Sequence, residues 1–504
     1  MGQLAWLSLV PLLFAVENCD RGEAFRRGYI AGLVFFGMTV WWVVHVTVPG
    51  AVALIAFLAL YFGAAAVVFA IVSARIAKTN AATESGSADS VVRNLAAAVV
   101  ASTSWVTLEW VRGWFLLGGF PWNYLGVSQW QAGPLIQFSN VTGVYGVSAL
   151  LCFVNYAFYF TIRRFARQIG SPTPLRRLSW EFYAGMGLVC LAFVHGMREI
   201  RSGVAQPSRT LRLGLVQADI PQSLKFDPNQ KQMILSRHRE LTEALLPDHP
   251  ELIIWPETAT PWVIQNDRES VDLVTNILAR SNAHLLTGFF EDRRPRMFNA
   301  AILFTPQRAI AGVYRKLHLV PFGEYIPLRA MWSPLLKKIG PKDYDVDDFF
   351  DLSPGDEYTV FEARGFRFGA IICFEDTLPE LCRRFVQRDV DFMINLTNDA
   401  WFKTSSESEM HLANAVFRAV ENRRPLVRAT NNGVTCVVSE HGFIRARYAP
   451  FTPASLSYEL RLPVDHTQTF YTRHGDVFIG ACAAVSMVAI GLAAFRRNRL
   501  QSPA

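Results

Sequence analysis

Three side chains of different chemistry each stand at the end of a strand-like segment in the middle of this 504-residue chain. The run Ile253-Ile254-Trp255 is halted by Pro256 and carries the carboxylate of Glu257 at its tip. The segment Tyr314-Arg315-Lys316-Leu317-His318 brings an ammonium group. Phe368-Gly369-Ala370-Ile371-Ile372 delivers the thiol of Cys373 into an acidic, turn-prone stretch, Phe374-Glu375-Asp376. Taken singly, each is ordinary: a cysteine after an apolar strand is as a rule buried core, a glutamate after proline a solvated turn residue, a lysine a surface charge. Together they supply a base, a cation and a nucleophile, the set that covalent acyl transfer needs. A thiol with a free pKa of about 8.5 must become a thiolate to attack a carbonyl. Glu257 fits the base, and Lys316 fits the group that steadies negative charge on sulfur and on a tetrahedral oxyanion.

The elements that must position them are strands. Leu211–Gln217, Leu252–Trp255, His284–Phe289, Ala300–Phe304, Arg367–Cys373, Phe392–Thr397 and Val434–Ser439 read as short β-rich runs. Helical patterns fit between several of them, at Gln230–Leu246, Ser270–Ser281, Leu378–Arg388 and Glu409–Arg423. A layered α/β domain follows, with a mixed sheet because Thr287–Tyr314 reads as hairpin-like. The three reactive side chains stand at strand ends, where an open α/β sheet presents its site. Glu324 and Glu375 lie in the same motif segments and can orient Lys316 and Cys373, or stand as surface carboxylates. Trp401, Trp262 and the apolar stretch Met331–Leu336 suit either a loop touching acyl chains at a membrane or packed core. His411 reads as structural.

The rest of the chain is too apolar for a soluble enzyme. Overall it is 51% hydrophobic and only 18% charged, with a mean hydropathy of +0.20, and the excess is confined to the first 200 residues and the far C-terminus. Six stretches are long enough to span a bilayer as helices: 28–47, 52–72, 95–117, 141–161, 182–194 with its flanks, and 477–494. A shorter one, Leu4–Val16, has neither a basic n-region nor a cleavage site and reads as helix rather than leader. The net charge of +7 and pI of 9.1 come from Arg clusters in short loops, not from one basic face, so nucleic acid is not the expected partner. Alternate loops are basic (Arg21, Arg26, Arg27; Arg75, Lys78, Arg93; Arg163 to Arg177; Arg496 to Arg499), whereas 48–51 and 122–134 carry no Lys or Arg. That alternation puts the C-terminus in the cytoplasm and the α/β domain outside, with the N-terminus outside if seven helices are counted. The expected division is a helical bundle over 1–200, an extracytoplasmic catalytic domain over 201–474, and a last span with a basic tail over 475–504. Seven cysteines give no paired framework. Glu109 and Arg112, three apart in an apolar helix, share a face and either form a structural ion pair or line a lipid or headgroup route.

The α/β segments resemble the nitrilase, or carbon-nitrogen hydrolase, superfamily, whose site is a Glu, Lys, Cys set. The marks are Gln217-Ala218-Asp219-Ile220-Pro221-Gln222, Trp255-Pro256-Glu257, Tyr314-Arg315-Lys316, Pro321-Phe322-Gly323-Glu324, Ile372-Cys373-Phe374-Glu375, Asn398-Asp399-Ala400-Trp401-Phe402 and Thr430-Asn431-Asn432-Gly433. With Glu109-Trp110-Val111-Arg112 and Phe120-Pro121-Trp122 in the apolar part, the whole layout is similar to the apolipoprotein N-acyltransferase family, which sets that domain between its last two membrane helices. The resemblance implies a multi-pass α-helical membrane bundle plus an α/β nitrilase-like αββα sandwich. Two departures stand out: the family usually has eight spans and a cytoplasmic N-terminus, and it commonly has Tyr where Phe374 stands.

The resemblance further implies transfer of a fatty acyl chain from a phospholipid, phosphatidylethanolamine, to the α-amine of the diacylglyceryl-cysteine of an apolipoprotein. It implies a ping-pong course through a Cys373 thioester, in the inner membrane, with no metal and no dissociable cofactor. One rival is a membrane-tethered amidase, in which water resolves the thioester. Another is a transporter or receptor whose outer domain has lost catalysis, against which the intact Glu257, Lys316 and Cys373 argue.

Overall fold

Between Ser208 and Pro463 the apolar runs pair into two six-stranded sheets. The first holds β1 (Ser208–Gln217), β2 (Leu252–Ile254), β3 (His284–Arg293), β4 (Arg296–Phe304), β5 (Ile310–Arg315) and β12 (Ala454–Pro463), in the order β12-β1-β2-β3-β4-β5. The second holds β6 (Val360–Ala363), β7 (Phe366–Ile372), β8 (Phe392–Thr397), β9 (Leu426–Thr430), β10 (Cys436–Val438) and β11 (Ile444–Arg447), in the order β11-β10-β9-β8-β7-β6. In each sheet three strands run parallel, β1-β2-β3 and β7-β8-β9, and the flanking pairs are antiparallel. The computed structural model describes residues 2–80, 88–169, 179–203, 208–329, 351–464 and 467–501; the stretch Met331–Leu336 considered above lies outside them.

The parallel strands are largely apolar where both faces are covered. On one side, helices Lys231–Glu243 and Arg268–Ser281 lay Leu235, Leu273, Val274, Ile277 and Leu278 on Ile253, Leu285 and Ile302. On the other, Pro379–Val386 and Glu407–Asn422 bury Leu381, Phe385, Leu412, Val416 and Val420. The sheets face one another between these layers: Thr430 Oγ1 on β9 donates to Gln217 Oε1 on β1 at 3.3 Å, and Asp219 N donates to the Asn431 carbonyl at 2.7 Å. The result is the αββα sandwich of a nitrilase-like domain.

The chain divides into two compact units, one of Met1–Phe115, Gly119–Ala205 and Thr469–Ala504, the other of Leu116–Gly118 and Gln206–Gln468. The first is helical. Three of its described helices are long and apolar enough to cross a membrane: Val48–Ala74, Asp89–Trp114 and Val144–Gln168, while Gly2–Ala15 and Val477–Leu492 are shorter apolar stretches. The stretches expected at 28–47 and 182–194 fall in helices Arg21–Thr39 and Trp180–Gly203, both with charged residues near their ends. The first of these stops at Thr39, ahead of the run Val40-Trp41-Trp42-Val43-Val44, whose branched and aromatic side chains lose rotamer freedom in an α-helix and here form a 3-10 turn over Trp41–His45. Helices Arg21–Thr39 and Val48–Asn80 meet through Gly28 and Gly32, one turn apart. A Cβ at Gly32 would lie 2.8 Å from Ala59 Cα and 2.9 Å from Phe62 Cβ, the close backbone approach that small residues allow between apolar helices.

Candidate active site

Glu257 is set by the end of β2. Trp255 still pairs with the next strand, donating its N–H to the Leu286 carbonyl at 2.9 Å, but Pro256 has no N–H and the ladder stops. The chain then crosses closely over β3 at Gly288, where a Cβ would lie 2.8 Å from the Glu257 Cα and 2.9 Å from the Pro256 carbonyl oxygen. Glu257 is buried. Its Oε1 accepts from Asn299 Nδ2 on β4 at 2.8 Å and lies 3.8 Å from Lys316 Nζ.

Lys316 follows the last residue of β5 and is likewise buried. Its N–H donates to the Asn299 carbonyl at 2.9 Å, so β4 fixes both the backbone of Lys316 and the carboxylate it faces. Nζ donates to Glu324 Oε1 at 2.9 Å. The same oxygen accepts from Asn299 Nδ2 at 2.9 Å, and Glu324 Oε2 accepts from Val320 N at 2.7 Å. One ammonium therefore sits between two carboxylates joined through one amide. Burial pushes the Glu257 carboxyl up, offset in part by Lys316. Burial works against the Lys316 ammonium, but the charges of Glu324, Cys373 and Glu257 outweigh it and hold the amine protonated.

Cys373 is the first residue beyond β7, at φ +56°. A residue with a Cβ is disfavoured there by about 1–2 kcal/mol, so neighbours must hold it. Its carbonyl accepts from Asn395 Nδ2 at 2.9 Å and meets His411 Nε2 at 3.2 Å, and the chain turns at once into the 3-10 segment Cys373–Thr377. The Phe374 ring stands under Lys316, with Nζ 5.4 Å from its centroid, which gives the aromatic at this position a use that needs no hydroxyl. Burial and the Glu257 charge push the thiol up to about 12, with Lys316 and His411 pulling the other way. At neutral pH the resting group is a thiol that needs a base.

Glu375 joins the strand of Cys373 to the segment of Lys316. It is fully buried. Its Oε1 accepts from Leu317 N at 2.8 Å and His318 N at 3.0 Å, its Oε2 from Ile372 N at 2.7 Å, and the Tyr314 hydroxyl reaches both oxygens at 3.0 and 2.9 Å. Burial pushes this carboxyl up to about 7, against Lys316 and the donors just named.

Beneath the thiol lies a second charged cluster. His411 places Nε2 2.8 Å from Asp376 Oδ1 and Nδ1 3.1 Å from Asp399 Oδ1 and 3.4 Å from Glu407 Oε1. Arg428 bonds Asp376 and lies 3.8 Å from Asp399. Asp399, Glu407 and His411 offer ligand atoms within 4.8 Å of one another, spacing that can hold a metal ion. Arg428 and the imidazole already balance that charge.

Among the described residues, Trp401 and Trp262 make no hydrogen bond or ion pair with this set. Trp401 is 44% exposed, on the turn Asp399–Phe402. Trp262 packs on Ala218, Ile220 and Ile234 with Lys231 Nζ 5.1 Å over its ring. Glu109 and Arg112 belong to the helical unit, and among the described residues they form no ion pair within 4.0 Å. Arg112 turns past the helix end instead, donating to the Trp122 carbonyl at 2.6 Å and to those of Phe120 and Asn123 at 3.4 Å. Glu109 Oε1 accepts from Trp105 Nε1 at 3.0 Å and Leu125 N at 2.7 Å. Residues beyond the sequence reading are Lys225, Asn299, Asn395 and Arg428. The last three share a signal: each is an amide or guanidinium side chain at a buried position of a largely apolar strand.

Two facing sheets with a glutamate, a lysine and a cysteine at their strand ends define a carbon-nitrogen hydrolase domain, and the model of that family, Carbon-nitrogen hydrolase, matches residues 212–464. The model described as Apolipoprotein N-acyltransferase N-terminal domain matches residues 1–157. An apolipoprotein N-acyltransferase of Geobacter metallireducens is 32% identical over 99% of this chain and 92% of its own. One of Pseudomonas aeruginosa is 31% identical over 91% of this chain and 85% of its own. Among solved structures, a nitrilase-superfamily protein of Saccharomyces cerevisiae matches 50% of this chain and 90% of its own at 19% identity and a TM-score of 0.38. The chain belongs to the apolipoprotein N-acyltransferase family.

Proposed function

We propose that this protein moves a fatty acyl chain from a phospholipid to the N-terminal α-amine of a diacylated apolipoprotein, through a thioester on Cys373. The observation that carries the reading is the buried arrangement of Glu257, Lys316 and Glu324 beside a strained cysteine. A thiol held near 12 does not ionise alone, and a carboxylate whose own pKa is raised by burial is the stronger base for it. The names of the relatives support the acyl acceptor.

In the first half-reaction Glu257 takes the Cys373 proton as sulfur bonds to the ester carbon, and the carbonyl oxygen becomes an oxyanion. Lys316, held protonated by its carboxylates, opposes the negative charge, and the Phe374 N–H is a further donor. Collapse breaks the ester C–O bond, Glu257 returns the proton to the leaving oxygen, and a lysophospholipid departs. In the second, the lipoprotein amine attacks the thioester and gives a proton to Glu257. The C–S bond breaks, and the proton passes to sulfur. Phosphatidylethanolamine is the donor proposed. The alternation of basic loops supports an inner-membrane protein whose α/β domain lies on the extracytoplasmic face.

Purified protein in detergent, given phosphatidylethanolamine, is expected to gain one acyl chain at Cys373 by mass spectrometry and to pass it to a diacylated lipopeptide. Cys373→Ala abolishes both. Transfer that persists in that variant refutes the assignment, and a thioester that only water resolves makes the protein an amidase.

A further inference from the structure

Resting on that acyl-transfer reading, we propose that Lys225 is a second catalytic cation, whose ammonium donates a hydrogen bond to the carbonyl oxygen of the acyl group under attack by Cys373. Lys225 ends the short helix Gln222–Lys225, after the segment that leaves β1, and is 1% exposed. A buried ammonium is costly unless a carboxylate pairs with it or its donors are all taken up. Neither holds here. Nζ donates to the main-chain carbonyl of Glu257 at 3.0 Å, and among the described residues that oxygen is its one hydrogen-bond partner.

Lys316 is the contrasting case. Its Nζ donates to the Glu324 carboxylate at 2.9 Å, and the Glu257 carboxylate lies at 3.8 Å. Each ammonium makes one hydrogen bond, but that of Lys316 goes to a carboxylate and that of Lys225 to a neutral carbonyl, so Lys225 keeps the less neutralised charge, and a cation with N–H groups to offer is what a developing oxyanion needs. The position fits, because the carbonyl it holds belongs to the base itself and its charge interacts with the Glu257 carboxylate and the Cys373 sulfur. Burial lowers the amine to about 8, with those two charges opposing the drop, so at neutral pH it remains largely protonated. A merely structural lysine, bonding one carbonyl, has no need of the charge.

The test separates oxyanion from thiolate. Rates of Cys373 acylation by phosphatidylethanolamine and of Cys373 alkylation by iodoacetamide are measured in wild type, Lys225→Met and Lys225→Arg. Alkylation forms no oxyanion. In Lys225→Met, acylation is expected to fall about a hundredfold or more, the usual loss for one oxyanion donor, while alkylation changes by less than about threefold. Lys225→Arg, which keeps a charged donor, recovers part of the acylation rate. Acylation in Lys225→Met within about threefold of wild type overturns the proposal, and so does a parallel loss of alkylation, which marks an effect on the thiol or the fold. Wild-type protein that alkylates but takes up no acyl chain sinks the acyl-transfer reading itself, and this proposal with it.

Discussion

Each of the two units buries a carboxylate and a cation close in sequence or space, and they treat the charges in opposite ways. In the helical unit, Arg112 spreads its charge over the carbonyls of Phe120, Trp122 and Asn123 and over the rings of Phe36 and Tyr124, 5.4 and 5.1 Å from its guanidinium carbon. Glu109 is held by an indole and an amide N–H. In the α/β unit the charges are concentrated: one ammonium stands among Glu257, Glu324 and a thiol. Neutral dipoles quiet a charge and hold it where it is. Charged neighbours couple the protonation of one group to that of the next, which is what a site that must move a proton requires.

Removing charge from the concentrated site is therefore expected to have the largest effects. Glu257→Gln keeps the Asn299 contact but cannot accept a proton, and thioester formation should fall about a thousandfold, within the range for loss of a general base. Normal labelling in that variant removes Glu257 as base. Lys316→Met leaves Glu257 and Glu324 facing each other through one amide, and acylation is expected to fall about a hundredfold. The same variant has a signature in pH. Iodoacetamide reacts with the thiolate, and Cys373 is held up to about 12, so the wild-type alkylation rate should climb about tenfold per pH unit from neutral to about pH 10 without a plateau. Lys316 pulls the thiol down. Its loss raises the thiol further, and the variant must be slower at every pH in that window. A plateau near pH 8 in wild type would show an unburied thiol.

What the sequence disclosed follows from the same physics. Glu257, Lys316 and Cys373 were legible because each stands at a strand end, and a strand end is a place where composition changes. Five of the six parallel strands and their helices were legible for the same reason, β9 being the exception. β12 was not: it pairs with β1 across more than two hundred residues, and its half-exposed pattern gives only weak alternation. Asn299 escaped because its function lies in holding two carboxylates from other elements, which no local spacing encodes. Arg428 sits in Leu426-Val427-Arg428-Ala429-Thr430, a strand interrupted by a charge whose partner, Asp376, is fifty-two positions away. The helix carrying Glu109 and Arg112 was legible as helix. The three-residue spacing suggested an ion pair, and the carbonyls beyond Gly119 took the arginine instead.

Glu375 tests whether concentration of charge also needs a rigid frame. Glu375→Ala would strip acceptors from Ile372, Leu317 and His318 N–H and from the Tyr314 hydroxyl, at about 1–3 kcal/mol for each buried donor left unpaired. A loss of roughly 3–5 kcal/mol is expected, read as a drop of about 10 °C in the thermal midpoint in detergent. Acylation should fall about tenfold through misplacement of Lys316 and Cys373. Glu375→Gln, which retains an acceptor oxygen, should restore part of both. An unchanged midpoint in the alanine variant would show that the two strands are held by their packing alone.

The smallest effect belongs to the helical unit. Glu109→Gln keeps an oxygen to accept from Trp105 and Leu125, so if the carboxylate is there only for those bonds, stability should change by less than about 1 kcal/mol. Acylation should then stay within about threefold of wild type. A larger drop in acylation at an unchanged thermal midpoint would break the contrast between the two units. The charge itself would then be in use during turnover, as expected of a group lining the route of a lipid headgroup. Arg112→Met serves as the control, because it deprives three carbonyls of a donor and must lower the midpoint whether or not a headgroup passes.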